Sequence, residues 1–290
     1  MTYGASPIKR RRASNAEMED RAEFLIGYAE AHAPVNVRQL YYRAEVERVP
    51  GIDKDEAGYR KTQRQVLNLR RAGRLDYGLI ADATRWMRKP KTYDGLEDVL
   101  EQTVEFYRKS LWRDQNVDLE IWIEKDALAG VIFPVTSLYD VPLMVTRGFC
   151  SETFAYNSVE DRRGRDRPYV IYSLYDFDRA GHDAAKSLNE MLCRFGAEMD
   201  VEVHFNQLAL DIEQIVAMWL PTRPAKRNTV ADKKWPYPFA CELDAIPPDD
   251  LRNIVRAAIE EYLPRGELES LKRIEDAERE TLRHMLGGLA

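Results

Sequence analysis

The sequence has few cysteines and no long apolar run. Its three cysteines, Cys150, Cys193 and Cys241, are far apart and form no C-x-x-C pair, which argues against a disulfide framework and against a zinc knuckle. No stretch approaches the roughly 18 to 20 consecutive apolar residues of a membrane span, and the first residues are polar and basic. We therefore expect a cytoplasmic protein that has no membrane partner and that folds around its own apolar cores.

Charge is divided unevenly along the 290 residues. Residues 1–113 carry 22 Lys and Arg against 17 Asp and Glu, a net charge of +5, whereas residues 114–290 have a net charge of −11. The basic excess is greatest between Tyr59 and Lys91, and such a surplus can neutralise phosphates, although a charged face is also commonly just solvated. The candidate DNA contacts in this stretch are Arg60, Lys61, Arg64, Arg70, Arg71 and Arg85.

The first part of the chain is predicted to be helical. Residues 1–15 lack apolar periodicity and contain four consecutive basic residues, so we expect a flexible basic arm. Helices are predicted at residues 16–31, 36–49 and 59–72, and a short extended stretch at 75–86 follows, with a basic tip at 88–91. Three helices and a hairpin-like wing are the order of a winged-helix (CAP-like) DNA-binding domain, which we place at residues 16–95.

The second part alternates apolar strands with helical stretches, which predicts an α/β fold with a Rossmann-like parallel sheet covered by helices. A linker helix at residues 96–112, within a linker segment 96–116, joins this domain (residues 117–290) to the first. Amphipathic helices are expected at the C-terminal end, at residues 248–263 and 268–286. The predicted strands are 119–124, 141–146, 169–175 and 201–210, and the predicted helices between them are 127–138, 151–159 and 181–195.

Three carboxylates follow the ends of two predicted strands. Glu124 ends the first strand, and Asp176 and Asp178 follow the third. Parallel strands end at one edge of a sheet, and oxygen-only ligands suit Mg²⁺ or Mn²⁺, so the three acids predict a metal site. The alternative is that the aspartates cap the helix that begins near Gly181 while Glu124 is an exposed strand end. Two cations near this edge, Lys125 and Arg147, are candidate phosphate contacts.

A tyrosine pair in the second predicted helix provides a candidate nucleophile. At about 100° per residue, Tyr41 shares the inward stripe of that helix, and Tyr42 points away from it. Arg38 lies four residues before Tyr42 and is therefore its neighbour on the exposed face. A guanidinium beside a phenol favours the phenolate and can hold a phosphate in a bidentate manner. The alternative is that both tyrosines are ordinary aromatics of an amphipathic helix.

These motifs together resemble a known family. The segment SLYDFDRAG, with the glutamate that precedes it, resembles the TOPRIM domain, which holds Mg²⁺ with a glutamate and a D-x-D motif. The order R-x-x-Y-Y, E-K and D-x-D resembles the A subunit of type IIB DNA topoisomerase (topoisomerase VI) and its meiotic relative, over about residues 20 to 220. The resemblance implies that Tyr42 is the nucleophile and that Glu124, Asp176 and Asp178 hold the metal. Arg179 stands where the family motif has proline.

The resemblance also implies an activity and partners. We expect Mg²⁺-dependent cleavage of double-stranded DNA through a tyrosyl-DNA intermediate, by a nucleoid-associated homodimer in which the tyrosine of one protomer works with the metal of the other. No segment resembles an ATP site, so ATP-driven strand passage would require a separate ATPase (B-type) subunit. Two alternatives stay open: a TOPRIM nuclease that uses metal-activated water, and a non-catalytic DNA-binding or assembly factor.

Overall fold

The computed structural model describes residues 13–81 and 92–287. The chain divides into two compact units, and the division falls between Ala81 and Asp82. Most of the predicted basic arm lies outside the described residues, as do Arg85 and the predicted basic tip at 88–91. None of the helices in the described ranges has the length and the apolarity needed to cross a membrane.

Three helices dominate the first unit, as the sequence predicts: α1 (Asn15–His32), α2 (Val37–Val46) and α3 (Glu56–Arg71). Each begins after a polar N-cap, namely Ser14, Asn36 or Asp55, whose side chain accepts a hydrogen bond from an N–H group of the first turn. The second helix ends three residues before the predicted Val49. Its end is a left-handed turn at Arg48 (φ 55°), which lets the Val49 N–H bond to the carbonyl of Ala44.

The three helices bury their apolar faces in a core of their own. Leu25 of α1, Leu40 of α2 and Val66 of α3 are almost fully buried in it. The predicted extended segment at 75–86 is described only as far as Ala81. In that part the prediction is wrong for Tyr77–Leu79, which form a short 3-10 helix because the Asp76 side chain accepts the Gly78 N–H, and only Ile80 forms a bridge, parallel to Val35.

The second unit is a mixed α/β structure built on a four-stranded parallel sheet. Its strands are β1 (Asp118–Ile123), β2 (Leu143–Val145), β3 (Tyr169–Leu174) and β4 (Val203–Ala209), in the order β2-β1-β3-β4. A two-stranded antiparallel hairpin, β5 (Arg223–Pro224) and β6 (Phe239–Ala240), follows. The helices are α4 (Leu96–Phe106), α5 (Asp126–Leu138), α6 (Glu152–Glu160), α7 (Arg179–Met199), α8 (Ile212–Ala217), α9 (Pro248–Glu260) and α10 (Glu267–Gly287).

The central strands β1 and β3 are buried on both faces, as expected for a parallel sheet that helices cover. Trp122 of β1 is fully buried and packs against Phe154 and Phe205. One charged residue interrupts this core. Glu120 of β1 is 6% exposed, and it forms an ion pair with Arg162 and accepts a hydrogen bond of 2.8 Å from the Tyr169 hydroxyl.

The linker helix is shorter than the sequence indicates. The sequence predicts a helix that reaches Trp112, but α4 ends at Phe106, and Tyr107 has an extended backbone. The carbonyl oxygen of Tyr107 accepts a hydrogen bond of 2.7 Å from Arg279 of α10, and the Lys109 ammonium lies 2.6 Å from a carboxylate oxygen of Glu278. Contacts to a distant helix therefore replace the last turns of α4.

Candidate active site

The ends of β1 and β3 bring two of the predicted metal ligands together. The two strands are adjacent and in register, with Ile123 opposite Leu174. The residues that follow are therefore also neighbours, and the Asp176 N–H donates a hydrogen bond of 3.3 Å to Oε2 of Glu124. Burial and then the charge of Asp176 raise the pKa of Glu124. Burial also raises the pKa of Asp176, against the lowering effect of Lys125.

Asp178 lies beside this pair and has two structural partners. Its Oδ1 accepts the Gly181 N–H at 2.9 Å and caps α7, and its Oδ2 lies 2.9 Å from the Arg223 guanidinium. The capping role that the sequence offered as an alternative is therefore observed for Asp178. Its charge nevertheless contributes to the raised pKa of Glu124, so the three acids share one electrostatic environment.

Gly181 allows the D-x-D loop to pack closely on the helix that it precedes. A Cβ atom at this position would lie 2.5 Å from the carbonyl oxygen of Asp176, which is closer than real Cβ contacts. Close approach of the backbone therefore explains why glycine stands at this position.

Lys125 lies among acids. Its ammonium nitrogen is 2.8 Å from Asp176, 2.7 Å from Asp244 and 3.4 Å from Glu242. These contacts raise the pKa of Lys125 well above its usual value, against a strong opposing effect of burial. The sequence predicts that Lys125 contacts a phosphate. In this structure its partners are carboxylates of the second unit.

The site also contains Arg223, Glu242 and Asp244, which are absent from the residues predicted from the sequence. They reach the site because the backbone of Phe177, in the middle of the D-x-D motif, pairs with Cys241 just after β6. Arg223 lies 3.4 Å from Glu242 and also pairs with Asp178. One signal was present in the sequence: Glu242-Leu243-Asp244 repeats the spacing of two acids around an apolar residue.

The cluster contains more acids than cations. Five carboxylates and two cations give it a formal charge of −3 when all are ionised; they are Glu124, Asp176, Asp178, Glu242, Asp244, Lys125 and Arg223. Within residues 13–81 and 92–287, no group of three or more His, Cys, Asp or Glu side chains is arranged to hold a metal ion.

The donor chemistry of the cluster nevertheless fits Mg²⁺ or Mn²⁺. Both ions prefer carboxylate oxygens, and Mg²⁺ usually takes one or two carboxylates, with water and substrate phosphate completing its shell. Glu124 and Asp176 supply such a pair at the sheet edge. Burial is the main cause of the raised pKa of both carboxyl groups, and the charge of Asp176 raises that of Glu124 further. A divalent ion bound there would favour the ionised form of both groups.

The tyrosine pair lies on α2 of the first unit. Tyr41 is 7% exposed, and its hydroxyl donates to the backbone carbonyls of Asp53 and Asp55 at 3.3 and 3.2 Å. Burial raises the pKa of Tyr41, which makes it a poor nucleophile. Tyr42 is half-buried and packs against the core of the first unit, with its ring 5.2 Å from that of Tyr41, so it is turned outward less fully than the sequence predicts. The Arg38 guanidinium lies 4.9 Å from the centre of the Tyr59 ring.

The predicted DNA contacts of the first unit lie on α3. Arg60, Lys61 and Arg64 line a cleft of about 870 Å³ whose walls also carry residues of α1, among them Glu17. Arg60 is paired with Glu56, and the Lys61 ammonium donates to the carbonyl of Gly51 at 2.8 Å.

The remaining predicted contacts differ in their partners. The Arg70 guanidinium stacks 4.3 Å from the centre of the Tyr77 ring, and Arg71 is exposed. In the second unit, Arg147 is 61% exposed and lies 2.9 Å from Asp126, next to the sheet edge that carries the acids. No family model matches the chain, and no curated protein matches it either.

Proposed function

We propose that this chain cleaves DNA through a tyrosyl-DNA intermediate that depends on Mg²⁺ or Mn²⁺, as the A subunit of topoisomerase VI does. The observation that carries the proposal is the pairing of Glu124 with Asp176 at neighbouring strand ends, within a cluster that has more acids than cations. On this proposal the first unit is a winged-helix domain and the second a TOPRIM domain. The parallel sheet, with Glu124 after β1 and the D-x-D motif after β3, supports the second assignment.

Tyr42 is the proposed nucleophile because its neighbour Tyr41 is buried and its hydroxyl is hydrogen-bonded to the backbone. The phenolic oxygen forms a bond to phosphorus while the bond from phosphorus to the 3′ oxygen breaks. The phenol loses its proton to solvent, and the departing 3′ oxygen gains one. Arg38, one helical turn before Tyr42, orients the phosphate. A divalent ion bound at Glu124 and Asp176 would stabilise the charge that develops on the phosphate.

The proposed substrate is double-stranded DNA that is held through its backbone. Arg60, Lys61, Arg64 and Arg71 supply charge without base-specific geometry, so binding should show little sequence preference and strong salt dependence. Cutting both strands requires two copies of Tyr42, which supports a homodimer. Strand passage would need a separate ATPase subunit, and binding to DNA would place the protein at the nucleoid.

The experiment compares three proteins on supercoiled plasmid with Mg²⁺ or Mn²⁺: the unaltered chain, Tyr42→Phe and Tyr77→Phe. After denaturation, we expect the unaltered chain to be attached to the 5′ ends of the DNA. Tyr42→Phe should lose the attachment completely, because phenylalanine has no oxygen to form the bond. Tyr77→Phe is the control, since Tyr77 is exposed in the same unit and a phenylalanine keeps its ring beside Arg70.

Each of the other outcomes would contradict the tyrosyl mechanism in its own way. Cleavage that survives in Tyr42→Phe and leaves free 5′ ends would indicate a nuclease that uses metal-activated water. DNA binding without cleavage at any metal concentration, in the presence of candidate partners, would indicate a non-catalytic factor. Cleavage that persists in EDTA would show that the acids do not hold a catalytic metal.

A further inference from the structure

A second cavity opens next to the acids, within the second unit. It has a volume of about 640 Å³, and Asp176 belongs both to its wall and to the acidic cluster. This volume lies in the range of roughly 300 to 1,000 Å³ that small-molecule sites occupy. Four aromatic residues line it, Tyr175, Phe177, Trp235 and Tyr237, of which the first three are buried and Tyr237 is partly exposed.

The aromatic wall is attached directly to the D-x-D motif. Phe177 stands between the two aspartates, and its ring centre lies 5.1 Å from that of Trp235 and 4.9 Å from that of Tyr237. The Trp235 ring nitrogen donates to the carbonyl of Phe239 at 3.0 Å, which fixes the ring orientation. The wall is therefore positioned by the same backbone that positions Asp176 and Asp178.

The loop that carries Trp235 and Tyr237 is held in place by polar contacts. Arg227 donates hydrogen bonds of 2.7 Å to the carbonyl oxygens of both residues. Asp232 in the same loop accepts a 2.8 Å hydrogen bond from Arg179 of α7. The cavity is thus shaped by the chain's own hydrogen bonds, and such preorganisation lowers the ordering cost of binding.

Charged and polar groups lie beside the aromatic ones. Two cations, Arg179 and Lys234, line the cavity together with His182 and with three acids, Asp176, Asp183 and Asp211, and Lys234 is exposed. Aromatic faces with nearby cations are the surroundings that suit a planar base joined to a phosphate. A duplex base cannot enter such a cavity without leaving its stack.

We propose that this cavity receives an unstacked nucleobase of a DNA strand whose backbone passes the acids, an inference that rests on DNA being the substrate. The base stacks on the aromatic wall, and Lys234 and His182 contact the phosphate that follows it. Recognition by stacking is tolerant of base identity, because every base has an aromatic face. The cavity would therefore hold an unpaired nucleotide beside the cleavage site without selecting a sequence.

The test uses a single-stranded oligonucleotide that carries one 5-iododeoxyuridine, irradiated with the full-length protein in EDTA. Photo-crosslinking of this base favours aromatic partners. We expect the crosslink in the tryptic peptide Trp235–Arg252, which contains Trp235 and Tyr237. Without metal no cleavage occurs, so the result does not depend on Tyr42 acting as a nucleophile.

Affinity measured by fluorescence anisotropy gives a second readout. Loss of one stacking partner in Tyr237→Ala should weaken binding of the oligonucleotide about 5- to 150-fold. Lys234→Ala should weaken it by less and reduce its salt dependence. Trp219→Phe is the matched control, because Trp219 is an exposed aromatic of the same unit that does not line the cavity. Trp219→Phe should bind as the unaltered chain does.

A parallel arm contains excess thymidine monophosphate. Loss of the crosslink there would show that the cavity also takes free nucleotides, and its survival would show that it requires a strand. Crosslinks confined to peptides of the first unit, with unchanged affinity in Tyr237→Ala, would overturn the cavity proposal even if tyrosyl cleavage is observed. A crosslink in Trp235–Arg252 without any tyrosyl cleavage would refute the proposed function and leave the cavity assignment standing.

Discussion

Replacing Lys125 with methionine should destabilise the second unit strongly. The side chain is 23% exposed and approaches three carboxylates, of which Asp244 is only 3% exposed. Breaking a buried ion pair from one side costs about 3–5 kcal/mol, because the remaining charge is left without a partner. Partial access of water to the site, and uptake of a proton by one of the acids, reduce this cost. We therefore expect Lys125→Met to lower the free energy of unfolding by about 2–4 kcal/mol at pH 8.

The loss should depend on pH in a defined direction. Burial already raises the pKa of Asp176 above its ordinary value of 3.8, and Lys125 opposes that rise. Without the lysine, the pKa of Asp176 in the folded chain rises further. The folded state then binds more protons than the unfolded state as the pH increases from about 4, so stability falls with pH in that window. The loss of stability that Lys125→Met causes, relative to the unaltered chain, should therefore be smaller at pH 5 than at pH 8.

Urea unfolding followed by tryptophan fluorescence measures this effect in the second unit, because the described tryptophans, Trp112, Trp122, Trp219 and Trp235, all belong to it. Lys186→Met is the control. Lys186 is 66% exposed, and its nitrogen lies 3.9 Å from Glu190, so its loss should cost less than about 1 kcal/mol. Equal midpoints for the two variants at pH 8 would refute the argument that Lys125 balances the acids.

Two further predictions concern packing at the same site and thiol reactivity. Gly181→Ala should lower the free energy of unfolding by about 1–3 kcal/mol and reduce metal-dependent cleavage, because the new Cβ would collide with the carbonyl of Asp176. Urea unfolding measures the first effect and plasmid cleavage the second. Unchanged values for both would contradict the close approach. Cys193 is exposed, Cys241 is buried, and burial raises the pKa of Cys150 to about 11, so iodoacetamide at pH 8 should label Cys193 first. Mass spectrometry of the peptides gives the order of labelling. Faster labelling of Cys150 than of Cys193 would contradict the prediction.

The sheet and its acidic edge could be predicted from the sequence because both follow from local patterns. Apolar runs such as Tyr169–Leu174 are long enough to identify buried strands, and alternation with helices implies parallel pairing. Parallel pairing then places the residues after each strand at one edge, which is why the sequence alone is enough to predict that Glu124 and Asp176 meet.

The partners of these acids were harder to predict, because the long-range contacts that bring them to the site leave no local pattern beyond the spacing Glu242-Leu243-Asp244. Arg223 belongs to a strand of two residues, too short to show periodicity, and Glu242 follows another. The end of α4 is decided by Arg279, which binds the carbonyl of Tyr107 from more than 170 residues away in the chain. Tertiary contacts of this kind override helix propensity.

The position of Lys125 connects the structure with the phosphate contact expected from the sequence. In this structure, Lys125 and Arg223 balance two of the five negative charges, and Glu124 and Asp176 keep raised pKa values. A divalent ion on the acids would reduce the formal charge of the cluster from −3 to −1, and the acids would then attract both cations less. On the proposed function, a DNA phosphate would then compete for these cations. Lys125 would be the counter-ion of the acids before the metal and DNA bind, and a phosphate contact afterwards.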